Sequence, residues 1–479
     1  MAIARAKFLD RDEEELIHSQ SLKTLNEIGV MIHSKSVLEL LDESGADIDY
    51  NKKIAKIPES MVDEALRKSP KQIGYYARDP KHNRTLPVET FPCTATNGLA
   101  IHIADLETGE EHSSTREDIA KFIKLGDALD EMDYLWTSLT ATDVPAKFHA
   151  IHELWVALQN TSKHIEVVSF ANAIDARKQI ELASLVVGGK EELKKRPIIS
   201  AIVCTISPLT FEKDAIEAQV EFAKAGIPIV SMVMSQSGMS CPVTVAGTIT
   251  NVNTENLASL VITQFAAPGA PHVYCSESAP ADMSTGMFNY DAPEMLHIGI
   301  GASQMAKRYG LPAMAADWGT NNEIKPGISY PISSISGSLT AVMAGTDLLA
   351  GFGSTDFAKG CSYEQLVIDA YLWDNLRTYL RKFTISEETI ALDVVREVGH
   401  GNTFLSHLHT VKNFKKELDL WDNNKRSWEA TLSSRMVPEA REVARNLLRE
   451  HEVLQIDQNI IKQGNALIAD YEKDIANNC

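Results

Sequence analysis

No stretch of the 479 residues approaches the roughly 18 consecutive apolar positions that a membrane-spanning helix needs. The opening MAIARAKFLDRDEEE turns acidic before a signal-peptide core forms, so the expected location is cytoplasmic. Basic residues are scarce: 46 Lys and Arg stand against 65 Asp and Glu, for a formal net charge of -19. Such a balance argues against nucleic acid, whose phosphates need a basic face, and is compatible with a cationic ligand or with simple solubility. Cysteine is sparse as well, with six widely separated residues and no CxxC, which predicts reduced thiols and not a disulfide framework. No GxxxxGK[ST] occurs, and Gly351-Phe352-Gly353-Ser354 lacks the third glycine of a dinucleotide loop. Low-complexity segments and fixed-period repeats are absent too.

What is present is an ordinary globular composition, 44% hydrophobic and 23% charged, arranged in a strand and helix rhythm. Strand-like runs occur at Leu135 to Ala141, Ile165 to Phe170, Ile198 to Ile206, Pro228 to Met234, His272 to Cys275, Pro312 to Ala316, Leu348 to Phe352 and Leu366 to Ile368. Helical segments with caps at Thr210, at Asn253 or Thr254, and at Asp291 with Glu294 separate several of them. Repeated strand and helix units imply parallel pairing, and eight of them imply a closed α/β barrel of the TIM type. Residues 1–133 read as an N-terminal cap with helices bearing Leu16, Leu22, Leu25 and Ile28, then Val37, Leu38 and Leu41, and a hairpin around Asn97-Gly98. Residues 134–385 read as the barrel and 386–479 as a mostly helical extension.

The densest chemistry lies between Gln264 and Gly327, where polar residues follow two buried strands. Ser276, Glu277 and Asp282 follow the first, and Asp317, Trp318, Asn321 and Asn322 the second, at the carboxyl strand ends where barrel enzymes keep their sites. Glu277, Asp282, Asp317 and Trp318 suit a cation, with carboxylates and an indole face together. The same residues also read as helix caps and packing. Cys204, Cys241 and Cys275 offer a zinc alternative, but lone buried cysteines without tight spacing more simply pack, so no metal is expected. His149 and His152 read as helix-packing residues. His400, between glycines near His407 and His409, could reach a site or serve structure.

Several phrases in order resemble the trimethylamine methyltransferase family: IADLETGEEHSSTREDIAKFIKLGDALDEMDYLW, then DVP, ISPLT, CPVTVAGTITNVNTENLASLVITQFAAPGAPHVY and DMSTG. The resemblance spans roughly residues 10 to 475. It implies an eight-stranded α/β barrel that passes a methyl group from a methylated amine to the cobalt of a separate corrinoid protein. Founding members carry pyrrolysine in the loop after the sixth strand. The matching loop here, WGTNNEIKPGISYP, holds only ordinary residues between Asn322 and Pro326. The chain thus resembles the non-pyrrolysine branch, whose members demethylate quaternary amines such as glycine betaine, proline betaine and carnitine.

That branch implies no tightly bound cofactor on this chain and cobalamin as methyl acceptor on a corrinoid partner docked at the carboxyl face. The long charged helical tail after Asn423 leads to the expectation of a homo-oligomer. A betaine carboxylate would need donors, for which Asn172, Asn321, Asn322 and His400 stand ready. Its cationic end would want aromatic faces, for which Phe170, Trp318, Tyr330 and Phe352 lie at or beyond strand ends. No residue is assigned an acid, base or nucleophile role. The alternatives are a zinc-dependent methyltransferase and a betaine-binding protein without turnover.

Overall fold

The computed structural model describes residues 6–290, 292–318, 325–327, 338–340, 342–418 and 435–477. Eight strands close a barrel: β1 Cys93–Thr96, β2 Tyr134–Trp136, β3 His164–Val167, β4 Ile199–Cys204, β5 Ile229–Val233, β6 His272–Ser276, β7 Ala313–Asp317 and β8 Leu348–Phe352. Each pairs in parallel with the next, and β8 pairs with β1. Helices α1 Arg116–Ala128, α2 His149–Asn160, α3 Ala173–Val187, α4 Lys213–Lys224, α5 Val245–Ala266, α6 Pro293–Arg308 and α7 Tyr363–Tyr379 surround it. The strands are buried on both faces, because helices cover the outside while the inside closes on itself.

The interior column contains Cys93, Ala95, Tyr134, Trp136, Ile202, Val230, Met232, Val273, Cys275, Met314, Leu348 and Ala350 in one cluster. Its amino end is plugged by an antiparallel hairpin, Ile73–Tyr75 with Arg84–Leu86, whose Tyr75 ring stacks on His164 at a centroid distance of 4.2 Å. Alternate positions such as Leu135, Ile165, Ile199 and Leu349 point outward into the core beneath the helices.

Two extensions enlarge this outer core. Helices Arg11–Lys23, Lys35–Glu43 and Glu59–Lys68 pack on α5, with Ile17, Leu22, Leu25 and Val62 joining Val252 and Leu257. The cap's own sheet, Val30–Ile32, Ile54–Lys56 and Asp47–Asp49, borrows Thr210–Phe211 as an edge strand. After the barrel, α8 Met436–Glu450 lies on α1 and α7, and α9 Gln458–Asn477 lies on α2 and α3.

The structure corrects several sequence expectations. Cys93–Thr96 is the first barrel strand and forms no hairpin across Asn97-Gly98; the next strand, His102–Ala104, belongs to a different sheet. Leu366 to Ile368 is not a strand but lies inside α7, whose carboxylate and amide pattern near Ser362 caps a helix. The N-cap of α4 is Glu212 and that of α5 is Thr244, so Asn253 and Thr254 sit mid-helix. Their polarity misleads because α5 is buried on all sides and uses these side chains to tie elements together. Asp291 lies outside the described residues, and α6 starts at Pro293 without a side-chain cap. Leu16 and Ile28 are exposed, and Ile17 takes the inward place expected of Leu16.

Buried histidines set the acid limit of the fold. Burial lowers both His164 and His272 to about 3, and the latter's Nδ1 pairs with Thr263 Oγ1 at 3.2 Å. A depressed folded-state pKa gives stability that is complete above the unfolded value near 6.5 and is lost as pH falls toward 3. Each imidazole therefore accounts for up to about 5 kcal/mol across that window. The raised Glu166 and Asp175 carry the opposite slope, so the histidine effect is read as a difference: His272→Gln is expected to be less stable than wild type at pH 7 and to lose that deficit as pH falls from about 6.5 to about 4, measured by denaturant midpoints.

Candidate active site at the carboxyl mouth of the barrel

The loops that rim the carboxyl end are held by carboxylates projecting from the surrounding helices. Glu255 of α5, fully buried, accepts from Leu209 N (2.8 Å), Ser207 Oγ (2.9 Å), Asn251 Nδ2 (2.8 Å) and the Thr205 hydroxyl. Asn251 also donates to Ser235 Oγ at 2.8 Å, so one acid fixes the loops after both β4 and β5. Glu153 of α2 accepts from Ala141 N (3.1 Å) and the Ser169 hydroxyl, joining the loops after β2 and β3. Asp175 of α3 accepts from Ala171 N (3.1 Å) and Gln179 Nε2 (2.9 Å). Asp369 of α7 accepts from Gly353 N at 2.7 Å. Burial pushes Glu153 upward and raises Asp175 to about 6. Backbone N–H groups in such loops have no ladder partner, and buried without one each would cost about 1–3 kcal/mol.

Within this frame, Cys204 ends β4 as the one exposed residue of that strand. Burial, with the Glu277 charge second, pushes its thiol up to about 12, so it stays protonated. Glu277 follows β6 and is half-buried, its N–H donating to Val233 O at 3.0 Å. Val168 and Met234 are half-buried above the interior column, and Trp136 is 7% exposed near its top. Gly98 lies against that indole: a Cβ there would come 2.3 Å from Trp136 Cε3. A side chain at Gly98 would force the ring to move.

One layer lower, Glu166 of β3 is entirely buried and pairs in register with Trp136 and Ser200. Its Oε2 accepts from Tyr75 Oη at 2.9 Å and lies 2.8 Å from Ser200 Oγ, which lies 3.0 Å from His164 Nε2. Burial raises Glu166 to about 7 against those hydrogen bonds.

The residues proposed from the sequence scatter. Glu277 is at the mouth, facing Cys204. Asp317 closes β7, its backbone beside Ala350. Trp318 and Phe352 stack on one another at 4.9 Å, with Trp373 edge-on at 5.7 Å from Trp318, all in the outer core and not in the interior column. A register irregularity between Leu349 and Phe352 breaks the alternation, which places Phe352 on the outer side with Leu349. Phe170 leans on Phe222 of α4 at 5.8 Å, also outward. Asn172 caps α3, accepting from Ile174 N and Asp175 N. Asp282 caps its own turn, accepting from Ser284 N (2.7 Å) and Ser284 Oγ (2.6 Å), which lowers its pKa. His400 is exposed on the arm beyond α7. Asn321, Asn322 and Tyr330 lie outside the described residues.

The three cysteines of the zinc alternative differ in setting: Cys275 is fully buried, Cys241 is half-buried beside Thr248, and Cys204 opens to the mouth. Among the described residues no group of three or more His, Cys, Asp or Glu is placed to hold a metal. His152 pairs with Glu472 of α9 at 2.9 Å and His149 with Val144 O, the helix-packing roles expected of them.

Glu166, Trp136 and the anchoring acids were missed from the sequence. Glu166 alone among them had a signal there, a charge inside the apolar run HIEVV. Replacing Glu255 with Ala is expected to destabilise the protein by about 2–4 kcal/mol through its orphaned donors, seen as a lower denaturant midpoint and as faster proteolysis in the loop after β4.

No helix among the described residues is long and apolar enough to cross a membrane. A family model described as trimethylamine methyltransferase matches residues 1–476. A trimethylamine methyltransferase of Desulfitobacterium hafniense is 28% identical over 467 residues, covering 96% of this chain and 94% of that protein. The glycine betaine methyltransferase of Desulfitobacterium hafniense is 26% identical over 417 residues, covering 87% and 86%. The crystal structure of Methanosarcina barkeri monomethylamine methyltransferase shares the fold, with a TM-score of 0.50 at 11% identity over 93% of this chain and 89% of that one. A parallel eight-stranded barrel with its polar mouth at the carboxyl end, matched along nearly its whole length, belongs to the trimethylamine methyltransferase family of enzymes.

Proposed function

We propose that the protein moves a methyl group from a quaternary amine, with glycine betaine the leading substrate, to cobalt(I) of a corrinoid carried by a separate protein. The observation that carries this reading is the loop WGTNNEIKPGISYP, where ordinary residues stand between Asn322 and Pro326 in a family whose founding members use pyrrolysine. A quaternary nitrogen is already positively charged and leaves as a neutral tertiary amine, so the departing group needs no proton. What the site must do is desolvate the cation, orient it and expose one methyl group.

The mouth is suited to that task. Glu277 offers a carboxylate to the cation, and the neutral Cys204 thiol beside it competes neither as a nucleophile nor as a counter-charge. The loops behind them are fixed by Glu153, Asp175, Glu255 and Asp369, which keeps the pocket preorganised. Asn321 and Asn322 belong to the loop nearest the family's special position, and we assign the substrate carboxylate to their amides, with Asp317 and Tyr330 left to the cationic end.

Reduced cobalt, when presented by its carrier, supplies the nucleophile that accepts the methyl group. The rim fits a large apolar-faced partner: Ile206, Met239, Val243, Met283 and Met287 are 53%, 61%, 69%, 77% and 50% exposed on the loops after β4, β5 and β6. The Met239 sulfur lies beside Gly286, and Met283 beside Gly238, so the two loops present one surface. Clustered methionines adapt to flat partner surfaces.

Purified protein with glycine betaine and cobalt(I) cobalamin, free or on a carrier protein, is expected to develop methyl-cobalt absorbance. Absence of that signal with every betaine tested overturns the reading, and preferential turnover of trimethylamine overturns its substrate. Glu277→Gln is expected to raise KM for glycine betaine about tenfold, the loss of roughly one exposed-to-buried charge contact, with a smaller change in kcat.

A further inference from the structure

Protons can be counted along the buried chain from Glu166 to His164. His164 Nδ1 lies 2.8 Å from the Tyr76 carbonyl oxygen, which can only accept, so Nδ1 carries a hydrogen. If the imidazole is neutral, its Nε2 accepts, and the Ser200 hydroxyl must donate to it. Ser200 then has no hydrogen left for Glu166 Oε2, 2.8 Å away, and that contact forms only if the Glu166 carboxyl is protonated and donates. Burial keeps the imidazole neutral, so the pair of short contacts holds one proton more than an ionised acid beside a neutral histidine, and that proton lies on Glu166.

This proton sits beneath the mouth. Glu166 is level with Ser200 on β4, and Cys204 lies four residues further along that strand, so roughly 13 Å of strand separates them at the rise of a β-strand. The intervening Ile202, Met232 and Cys275 are apolar and dry, which leaves a charge at Glu166 poorly screened from the mouth.

We infer that the Glu166–Ser200–His164 chain is a proton store coupled to the substrate pocket, releasing its proton when a cation binds in the mouth so that an ionised Glu166 forms beneath it. Coupling to a cation rests on the amine-binding role proposed above; the stored proton does not. The overall step balances as cation plus protonated chain giving bound cation, Glu166 carboxylate, neutral His164 and one proton passed to the buffer. Among the described residues Glu166 Oε1, the Tyr134 hydroxyl and the Trp136 indole N–H are all buried without a full hydrogen bond, and the indole acts on both Glu166 and Tyr134, so the Trp136 N–H is the donor nearest to hand for the ionised acid. The other titratable groups facing Glu166 are Tyr75 from the plug and, next to Tyr134, Cys93 of β1. Burial holds all three far above neutrality, so none of them can be the source of the released proton. The raised value of Glu166 places the exchange near pH 7.

Titration calorimetry with glycine betaine, and with tetramethylammonium as a cation lacking a carboxylate, in two buffers of different ionisation enthalpy reads the proton directly. Wild type is expected to release about half a proton near pH 6.5, with affinity rising about tenfold in all between pH 5 and 8. Glu166→Gln is expected to bind with no proton release and a flat pH profile, and Ser200→Ala, should the former not fold, to shift the transition. Binding without proton release in wild type, or equal release from Glu166→Gln, overturns the inference. Infrared difference spectra test the store without ligand: wild type at pH 6 should show a protonated-carboxyl band that Glu166→Gln lacks, and a wild-type spectrum without it overturns the stored proton. No binding of either cation alongside that band overturns the amine-binding role and the coupling while leaving the stored proton in place.

Discussion

Closing eight parallel strands on themselves gives every inward side chain the same narrow column to share, and that constraint governs the rest of the molecule. The lower column must be filled, because an empty barrel would forfeit packing along its length. Tyr75 from the plug, Tyr134 and a fan of aliphatic residues fill it. Towards the upper end the packing loosens: Trp136 is 7% exposed, Val168 and Glu277 are half-buried and Cys204 is exposed.

An open mouth leaves loop backbone without ladder partners, and the answer is borrowed from the helices. Glu153, Asp175, Glu255 and Asp369 each reach inward from a covering helix to take N–H groups of the turns. These acids are costly to bury, as the upward displacement of Glu153 and Asp175 shows, and the cost is offset by the donors they satisfy. The site is therefore stiffened from behind by residues that never meet a substrate. The same logic in the column places Glu166 among Tyr75, Ser200 and His164, where a charge is held near its point of exchange.

Surface character follows from the division of labour. A chain of net charge -19 repels anionic partners over most of its area, while the turns after β5 and β6 add exposed methionines beside Glu277 and Asp282. The acids that suit the proposed cation and the apolar rim that suits the proposed carrier protein are thus separate features of neighbouring loops.

The sequence by itself determined the strand and helix alternation, seven of the eight barrel strands and the family, because apolar runs of strand length and ordered phrases are local signals. The proposed site at the carboxyl ends rests on the same kind of signal, with Glu277 singled out as the first acid past a buried strand. Tertiary structure alone decided the first strand, since CTAT at Cys93–Thr96 pairs with segments about 40 and 255 residues away and its Asn97-Gly98 turn imitates a hairpin. It also decided direction. A bulge in β8 turned Phe352 outward to Trp318, and capping demands took Asn172 and Asp282, while Trp136 and Glu166 came to face the column. A one-residue change of register sends a side chain to the other face of a strand, and closure of the whole barrel is what fixes that register.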